Sequence, residues 1–335
     1  MKKKFDDLSN RERNRFISKK SKKVNNTTRT LHIPIEETNA TVLEIYPKFI
    51  KVRIDNTGQT PLCTYRRAAL WQSRDLDQRD RSPLCCGDRV KTKVFGTKDG
   101  LVEGVAKRRN QLSRVAPGRD GGLEHVIAAN LDLMVIVSSF SEPEFSPGLV
   151  DRFLIASLKS GITPLLCINK VDLKKSEVKP WAIYESLGIQ CITVSAKKHL
   201  GLEELKALLK SKAVVFCGHS GVGKTSLLNQ LVESYSGKTG SVNKSTGKGK
   251  HTTSSSQLLT IPDGGAWIDT PGVRAFSFSG ITEITLKNYF PEFEKLPCSN
   301  TNCLHDGVDP LCNATELFRY DSYQRILESL REEAR

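Results

Sequence analysis

The stretch Val214-Val215-Phe216-Cys217-Gly218-His219-Ser220-Gly221-Val222-Gly223-Lys224-Thr225-Ser226-Leu227-Leu228 decides the fold of the region around it. An apolar run ends in a glycine-rich turn with the spacing G-x-x-x-x-G-K-T, and a helix-forming segment follows directly. This order predicts a strand, a phosphate-binding loop and a helix N-terminus, where backbone N–H groups and the helix dipole favour anions. A chance match in a glycine-rich loop is the alternative, and the flanking strand and helix patterns weigh against it.

The side chains that follow the glycines have separate expected roles. Lys224 is expected to reach the β- and γ-phosphates and to act in catalysis, and the Thr225 hydroxyl is expected to ligate Mg²⁺. The predicted nucleotide-binding residues of this loop are Gly218, His219, Ser220, Gly221, Val222, Gly223, Lys224, Thr225 and Ser226.

Length and charge bound the class of protein. The chain has 335 residues, which predicts two or three domains, and its formal net charge of +14 indicates a polyanionic partner, either nucleic acid or an anionic membrane surface. No run of eighteen apolar residues exists, so no transmembrane span is expected, and no apolar segment follows the basic N-terminus as in a signal peptide. Several of the nine cysteines lie in apolar, strand-like runs, which is typical of a reducing cytoplasm. No oligomerisation signal is visible, so a monomer is the default expectation.

The N-terminal third predicts an arm and a barrel. Residues 1–34 carry eleven Lys and Arg against three acids and almost no apolar residues, which predicts a basic flexible arm, with a solvated tail that has no partner as the alternative. Residues 38–114 contain five short alternating runs separated by turn signals, which favours a small all-β, oligonucleotide-binding (OB-like) barrel. Another small barrel or sandwich would give the same pattern. The predicted strands are Ala40–Ile45, Phe49–Ile54, Leu62–Tyr65, Arg89–Phe95 and Leu101–Ala106.

After a glycine-containing linker at 117–122, strand and helix patterns alternate through residues 123–280 and predict an α/β domain with helices on both faces of its sheet. Residues 281–335 predict a mainly helical C-terminal domain around a Cys/His cluster. The predicted strands are Leu133–Val137, Pro164–Ile168, Gln190–Val194, Ala213–Cys217, Ser256–Ile261 and Ala266–Asp269. The predicted helices are Gly148–Lys159, Glu177–Leu187, Leu202–Lys210 and Thr225–Val232.

Two polar motifs at strand ends predict the base. Asn169-Lys170-Val171-Asp172 follows one strand, at the edge where open α/β sheets bind ligands. A carboxylate at Asp172 can accept hydrogen bonds from N1–H and the exocyclic amino group of guanine, a pattern that adenine lacks. Ser195-Ala196-Lys197 follows the next strand and is expected to support the same base. The motifs therefore predict GTP and GDP as ligands.

A third motif, Asp269-Thr270-Pro271-Gly272, is expected to sense the γ-phosphate, with Asp269 holding Mg²⁺ and the Gly272 N–H contacting the phosphate. An ordinary turn is the alternative interpretation of this tetrapeptide. The preceding loop, residues 236–256, is long and polar, which is typical of a segment that orders on Mg²⁺–GTP. Thr252 or Thr253 is expected to supply a further ligand to Mg²⁺, with a slight preference for Thr253.

Three thiols and one imidazole, from Cys298, Cys303, His305 and Cys312, lie within fifteen residues. This ligand set predicts a closed, tetrahedral, structural Zn²⁺ site. Free thiols near a surface are the alternative interpretation.

These motifs together resemble the RsgA family, also called YjeQ or EngC, over residues 38–320. The base motifs precede the phosphate loop here, whereas ordinary GTPases have the reverse order, so the resemblance implies a circularly permuted P-loop α/β GTPase domain between the OB-like barrel and a zinc-binding C-terminal domain. It implies a GTPase of late small (30S) ribosomal subunit maturation that binds the subunit and its 16S rRNA, with subunit-stimulated turnover linked to release. The loop before Cys312 is one residue longer than the family pattern, a difference that a loop absorbs easily.

The resemblance also suggests which residue positions the water molecule that attacks the γ-phosphate of GTP. Val273 stands where Ras-like enzymes use a glutamine to orient that water, and a valine cannot do so. His251 resembles the histidine proposed for this role in the family, so we hypothesise that it positions the water; a solvated loop histidine is the alternative. Two other functions stay open: a GTP-gated RNA-binding module with incidental hydrolysis, and a GTPase recruited to an anionic membrane, against which the missing lipidation signal weighs.

Overall fold

A computed structural model describes most of the chain and divides it into two compact units, Met1–Arg108 and Arg109–Arg335. The described residues are 31–46, 48–65, 84–115, 124–173, 178–232, 257–261, 265–269, 276, 278, 280–299, 302–309 and 311–333.

The first unit is a closed barrel. Its strands are β1 (Leu31–Ile33), β2 (Ala40–Ile45), β3 (Ile50–Ile54), β4 (Leu62–Thr64), β5 (Arg89–Phe95) and β6 (Asp99–Ala106), with one 3-10 turn at Ile35–Glu37. The ring runs β2-β3-β4-β6-β5 and closes from β5 back to β2. Strand β1 pairs with the end of β6, at residues 104–106, beyond the stretch that pairs with β4. The β4–β6 pair is parallel, and the other pairs of the ring are antiparallel. This connectivity confirms the predicted OB-like barrel.

Alternation in the strands explains the barrel core. In β5, Val90 and Thr92 face inward, while Arg89, Lys91 and Lys93 face outward. Register shifts mark bulges at Leu43 of β2 and at Glu103 of β6, which let a small sheet bend enough to close. The interior is filled by Ala40, Val42, Ile50, Val52, Cys63, Leu84, Val90, Val102 and Val105.

The second unit begins with a hairpin, β7 (Gln111–Val115) and β8 (Glu124–Ala129), and continues with alternating strands and helices. These are β9 (Leu133–Ser139), α1 (Pro147–Lys159), β10 (Thr163–Asn169), α2 (Ala182–Ser186), β11 (Gln190–Thr193), α3 (Leu202–Leu209), β12 (Ala213–Gly218), α4 (Lys224–Leu231), β13 (Gln257–Thr260) and β14 (Ala266–Asp269). The sheet order is β11-β10-β9-β12-β14-β13, and only β13 is antiparallel to its neighbour.

The chain enters this sheet in its middle. It builds outward from β9 to β10 and β11, then returns to place β12 on the other side of β9. The strand connections therefore diverge between β9 and β12, which is where open α/β sheets form a ligand crevice. A chain that started at β12 could build the same sheet, so the strand order fits the predicted circular permutation.

The C-terminal region is mainly helical, as predicted. It contains α5 (Glu283–Leu286), α6 (Tyr320–Glu333) and short 3-10 helices at Lys287–Tyr289, Pro291–Lys295 and Ala314–Glu316. Its aromatic core, which includes Phe290, Phe293 and Tyr323, packs against Ile155 of α1. Helix α1 thus joins the sheet to the C-terminal region.

The described elements differ from the sequence predictions in a few places. Strand β1 and the β7–β8 hairpin were not predicted, and β7 lies in the second unit although residues 38–114 were expected to form the barrel domain. The whole linker expected at 117–122 and residues 1–30 of the arm expected at 1–34 lie outside the described residues. Among the residues that are described, no helix has the length and apolarity needed to cross a membrane.

Candidate functional site

The phosphate loop starts where β12 ends and stops where α4 begins. Gly218 pairs with Val137 of β9, and a Cβ at position 218 would lie 2.3 Å from the Val137 carbonyl oxygen. Gly223 has a φ of +88° and caps α4, so its left-handed backbone turns the loop into the helix. The loop therefore presents the N-terminus of α4, with the N–H groups that suit a phosphate.

Lys224 and Asp269 meet beside this loop. The Lys224 Nζ lies 4.0 Å from the Asp269 Oδ1, and the two side chains are only 11% and 5% exposed. Asp269 reaches this place because β14 pairs with β12 and brings Asp269 beside Phe216. Thr225, in the first turn of α4, is half-buried. The expected phosphate ligand and two of the expected magnesium ligands thus come from the start of α4 and the end of β14.

Asn169 links the base motif to the phosphate loop. Its side chain is buried at the end of β10, where Nδ2 donates to the Val222 carbonyl at 2.9 Å. The Asn169 Oδ1 accepts from the Ala196 backbone N–H at 3.1 Å. One amide therefore joins three loops that are far apart in the sequence.

Asp172 and Ser195 form the second link. The Ser195 hydroxyl donates to Asp172 Oδ1 at 2.5 Å and accepts from the Lys198 backbone N–H at 3.0 Å. Because both partners hold the hydroxyl, it orients the carboxylate that is expected to recognise guanine. Lys197, the last residue of that motif, is exposed.

Lys170 has a left-handed backbone, with a φ of +62°, and its ammonium group donates to the Glu142 carbonyl oxygen. Partial burial lowers the pKa of Lys170, which the neighbouring carboxylates of Glu142 and Asp172 counteract. Its stem passes 3.8 Å from the place where a Cβ on Gly223 would lie. Sequence reasoning did not identify Glu142, because nothing in the loop after β9 marks it as a partner of Lys170.

A cavity of about 210 Å³ lies between the phosphate loop and α1. His219 and Val222 of the loop form one wall, and Leu149, Val150 and Phe153 of α1 form another. The cavity is mostly apolar. No sequence motif predicts it, because the α1 side chains that line it look like those of any buried helix face.

The Cys/His cluster converges in the C-terminal region. The candidate ligand atoms of Cys298, Cys303, His305 and Cys312 all lie within 4.8 Å of one another. The His305 Nδ1 lies 3.2 Å from the Cys312 Sγ and 3.6 Å from the Cys298 Sγ. A tetrahedral Zn²⁺ site with ordinary bond lengths separates its ligand atoms by roughly 3.5–3.8 Å, so the cluster fits such an ion.

The surroundings of the cluster also suit a metal. Burial lowers the pKa of His305, which favours the neutral imidazole that metals bind. The His305 carbonyl accepts from the Gln324 side chain at 3.0 Å, and the ring of Phe293 lies 4.9 Å from the imidazole. The donor set is closed, as in structural zinc sites.

Some predicted site residues lie outside the described part of the chain. These are His251, Thr252, Thr253 and Gly272. Their roles remain predictions.

One buried cluster was not predicted from the sequence. Arg319 donates from Nε to Asp151 Oδ1 at 2.8 Å and from Nη1 to Glu292 at 3.1 Å, and Asp151 is fully buried in α1. Its guanidinium also lies over the Phe290 ring at 4.4 Å. These contacts fasten the C-terminal region to the helix that forms one wall of the cavity.

Comparison with known proteins agrees with this architecture. The family model described as RsgA GTPase matches residues 105–279. A curated relative from Chlorobaculum parvum, named small ribosomal subunit biogenesis GTPase RsgA, is 37% identical over 268 residues, which cover 74% of this chain and 86% of the relative. The relative of the same name from Haemophilus influenzae is 36% identical over 274 residues, covering 76% of this chain and 78% of the relative.

Two solved structures are also similar. The crystal structure of YjeQ from Thermotoga maritima has a TM-score of 0.65 and 28% identity, covering 88% of this chain and 98% of the other. The structure of YloQ, described as a circularly permuted GTPase, has a TM-score of 0.61, covering 92% of this chain and 98% of the other. At 22% identity the second match supports the fold alone.

Proposed function

The chain belongs to the RsgA GTPase family, and from this premise we propose that it hydrolyses GTP during late maturation of the small (30S) ribosomal subunit. The observation that carries the proposal is the Asn169 amide, which holds the phosphate loop and both base motifs in one site. The relatives are named small ribosomal subunit biogenesis GTPases, which supports the choice of subunit.

The nucleotide chemistry follows from the side chains at the strand ends. Asp172, oriented by Ser195, would accept hydrogen bonds from guanine, and Lys224 with the loop N–H groups would balance charge on the phosphates. Thr225, Asp269 and, by our prediction, Thr253 would hold Mg²⁺, which neutralises charge on the β- and γ-phosphates when bound. Water attacks the γ-phosphorus, and the bond from that phosphorus to the oxygen it shares with the β-phosphate breaks. GDP and inorganic phosphate leave, with the protons of the water passing to the phosphate and to solvent.

His251 would position that water. The family resemblance motivates this role, since Val273 offers no group that can orient a water molecule. A neutral imidazole can accept a hydrogen bond from water near neutral pH. Substituting His251→Ala should therefore lower turnover while GTP affinity stays near that of the wild type, and unchanged subunit-stimulated turnover would remove His251 from the mechanism.

The basic arm and the barrel would bind 16S rRNA. The net charge of +14 and the exposed Lys93 of β5 support an electrostatic contact with phosphates. Binding should then weaken steeply with salt, and salt-insensitive binding would contradict this contact. We place the protein in the cytoplasm, where such subunits are made, and we propose a monomer because no sequence feature calls for assembly.

The Cys298, Cys303, His305 and Cys312 cluster would hold one structural Zn²⁺. A closed four-ligand site leaves no position for a reacting water, so the metal would stabilise the C-terminal domain and not take part in hydrolysis.

The experiment is steady-state GTP hydrolysis with purified small subunits, with large subunits and ATP as controls. Strong, GTP-specific stimulation by small subunits supports the proposal. If GTP binds tightly but small subunits do not stimulate turnover, a GTP-gated RNA-binding module with incidental hydrolysis becomes the better description.

A further inference from the structure

The segment that carries the four cluster residues has an unusual charge for this chain. Residues 296–318 contain no Lys or Arg, although the chain has 51 of them, and they include Asp306, Asp309 and Glu316. Residues 281–335 as a whole carry ten acidic residues against six basic ones. A surface of this composition disfavours a phosphate backbone, because exposed acids repel it.

Two arginines of the C-terminal region are already engaged. Arg319 is 3% exposed and pairs with Asp151 and Glu292. Arg331 pairs with Glu283 at 2.8 Å and with Asp306 at 3.0 Å. Both guanidinium groups are paired with carboxylates of this chain. They therefore add little positive potential to the surface of the loop between His305 and Cys312.

The same surface exposes large apolar side chains. Val308 is 81% exposed and Leu311 is 62% exposed, and both lie on the loop between the last two cluster residues. Phe318 is 59% exposed and follows the 3-10 helix at Ala314–Glu316. The loop adjoins this 3-10 helix, since a Cβ on Gly307 would lie 4.0 Å from Cγ2 of Thr315, and it adjoins α6, since the same Cβ would lie 3.1 Å from the Tyr320 hydroxyl.

The loop is held in a defined shape. The Asp309 carboxylate accepts from the backbone N–H groups of Ser299 at 2.9 Å and Leu311 at 3.0 Å. The Asp309 carbonyl also accepts from the Cys312 N–H at 3.1 Å. Exposed apolar side chains on a well-held loop are typical of a surface that a partner covers, because little conformational entropy is lost when it binds.

We propose that Val308, Leu311 and Phe318, with Asp309 and Glu316, form an acidic apolar surface that docks a lysine- and arginine-rich polypeptide segment of a partner protein. Its cations would face the carboxylates and an apolar side chain would pack on Leu311 and Phe318. The inference rests on the proposed function for the source of that partner, which would be a protein component of the small subunit and not its RNA.

The first test uses the full chain with a photo-crosslinking benzoylphenylalanine in place of Leu311, and the matched control has it in place of Leu158, which is 43% exposed on α1. The probes are a short peptide of alternating lysine and leucine and a short oligouridylate. We expect the peptide to crosslink at position 311 and much less at position 158. Glu316 and Asp321 are exposed acids on either side of Phe318 in the sequence, and Asp321 lies in the first turn of α6. Reversing both charges, with Glu316→Lys and Asp321→Lys, should lower that yield about tenfold.

Crosslinking of the oligouridylate at position 311, or equal peptide yields at positions 311 and 158, would overturn the proposal. So would a peptide yield that the charge reversals leave unchanged. The second test repeats the crosslinking with small subunits, where a protein adduct at position 311 supports the proposal and an rRNA adduct overturns it. If subunits neither bind nor stimulate hydrolysis while the peptide still crosslinks, the proposed function fails and the docking surface stands.

Discussion

Substituting Gly223→Ala tests whether the phosphate loop and the base motif depend on one close contact. A Cβ at position 223 would lie 2.4 Å from Asn169 Nδ2, well inside any normal contact distance, and the φ of +88° is unfavourable for alanine. The backbone strain costs about 1–2 kcal/mol. Displacing the Asn169 amide also weakens its hydrogen bonds to Val222 and Ala196, each worth about 0.5–1.5 kcal/mol.

The matched control is Gly161→Ala. Gly161 has a similar φ of +64°, but among the described residues, apart from its chain neighbours, no atom lies within 4 Å of the place where a Cβ would stand. This variant therefore has the strain without the clash. Both variants should lose about 1–2 kcal/mol or more of unfolding free energy in denaturant melts. Only Gly223→Ala should also raise the dissociation constant for GDP, by about tenfold or more.

The assay is a fluorescence titration with a labelled GDP, run beside the denaturant melts. If Gly223→Ala bound GDP within about threefold of the wild type, the contact with Asn169 would not organise the site. A similar loss of GDP affinity in Gly161→Ala would mean that general destabilisation, and not the clash, lowers binding.

Three further results are expected. Asp172→Asn should lower GTP affinity about tenfold to a hundredfold, because an amide N–H replaces an acceptor, and should favour xanthosine triphosphate; unchanged preference in paired titrations would remove Asp172 from the base pocket. Arg319→Met should cost about 3–5 kcal/mol, because Asp151 loses its buried partner. Burial raises the pKa of Asp151 and the charge of Arg319 lowers it, so removing Arg319 should raise this pKa further. Protonation of Asp151 at acidic pH should then relieve part of the loss; an equal loss in melts at neutral and acidic pH would argue against this. Chelation should open Cys298, Cys303 and Cys312 to alkylation while Cys167, whose pKa burial raises to about 12, stays unmodified; mass spectrometry reads the labelled sites, and equal labelling with and without chelator would contradict a zinc site.

Local patterns were enough to predict much of this protein. The phosphate loop, the two base motifs and the Cys/His cluster are each encoded within a short segment, so residue type and spacing identify them without knowledge of the fold. The parallel strands could also be predicted, since strands buried on both faces appear as continuous apolar runs such as Leu133–Val137 in β9. The order of the motifs along the chain predicted the permutation.

The short strand β1 and the hairpin β7–β8 were not readable in this way. Strand β1 has only three residues, and it is a strand because β6 offers it a parallel edge. In the hairpin, a register shift between Leu112 and Ser113 interrupts the regular alternation on which strand prediction depends. A strand that forms because it pairs with a distant or irregular strand has no clear pattern in its own sequence.

The sequence by itself determined which chemical groups this protein has and which short segments carry them. Only the tertiary structure decided that Asn169 would hold Val222, 53 positions away, and that Arg319 would pair with Asp151, 168 positions away. The physical reason is range: propensity and spacing act over one turn or one strand, whereas these contacts exist only after the sheet has placed distant strand ends and helix faces side by side.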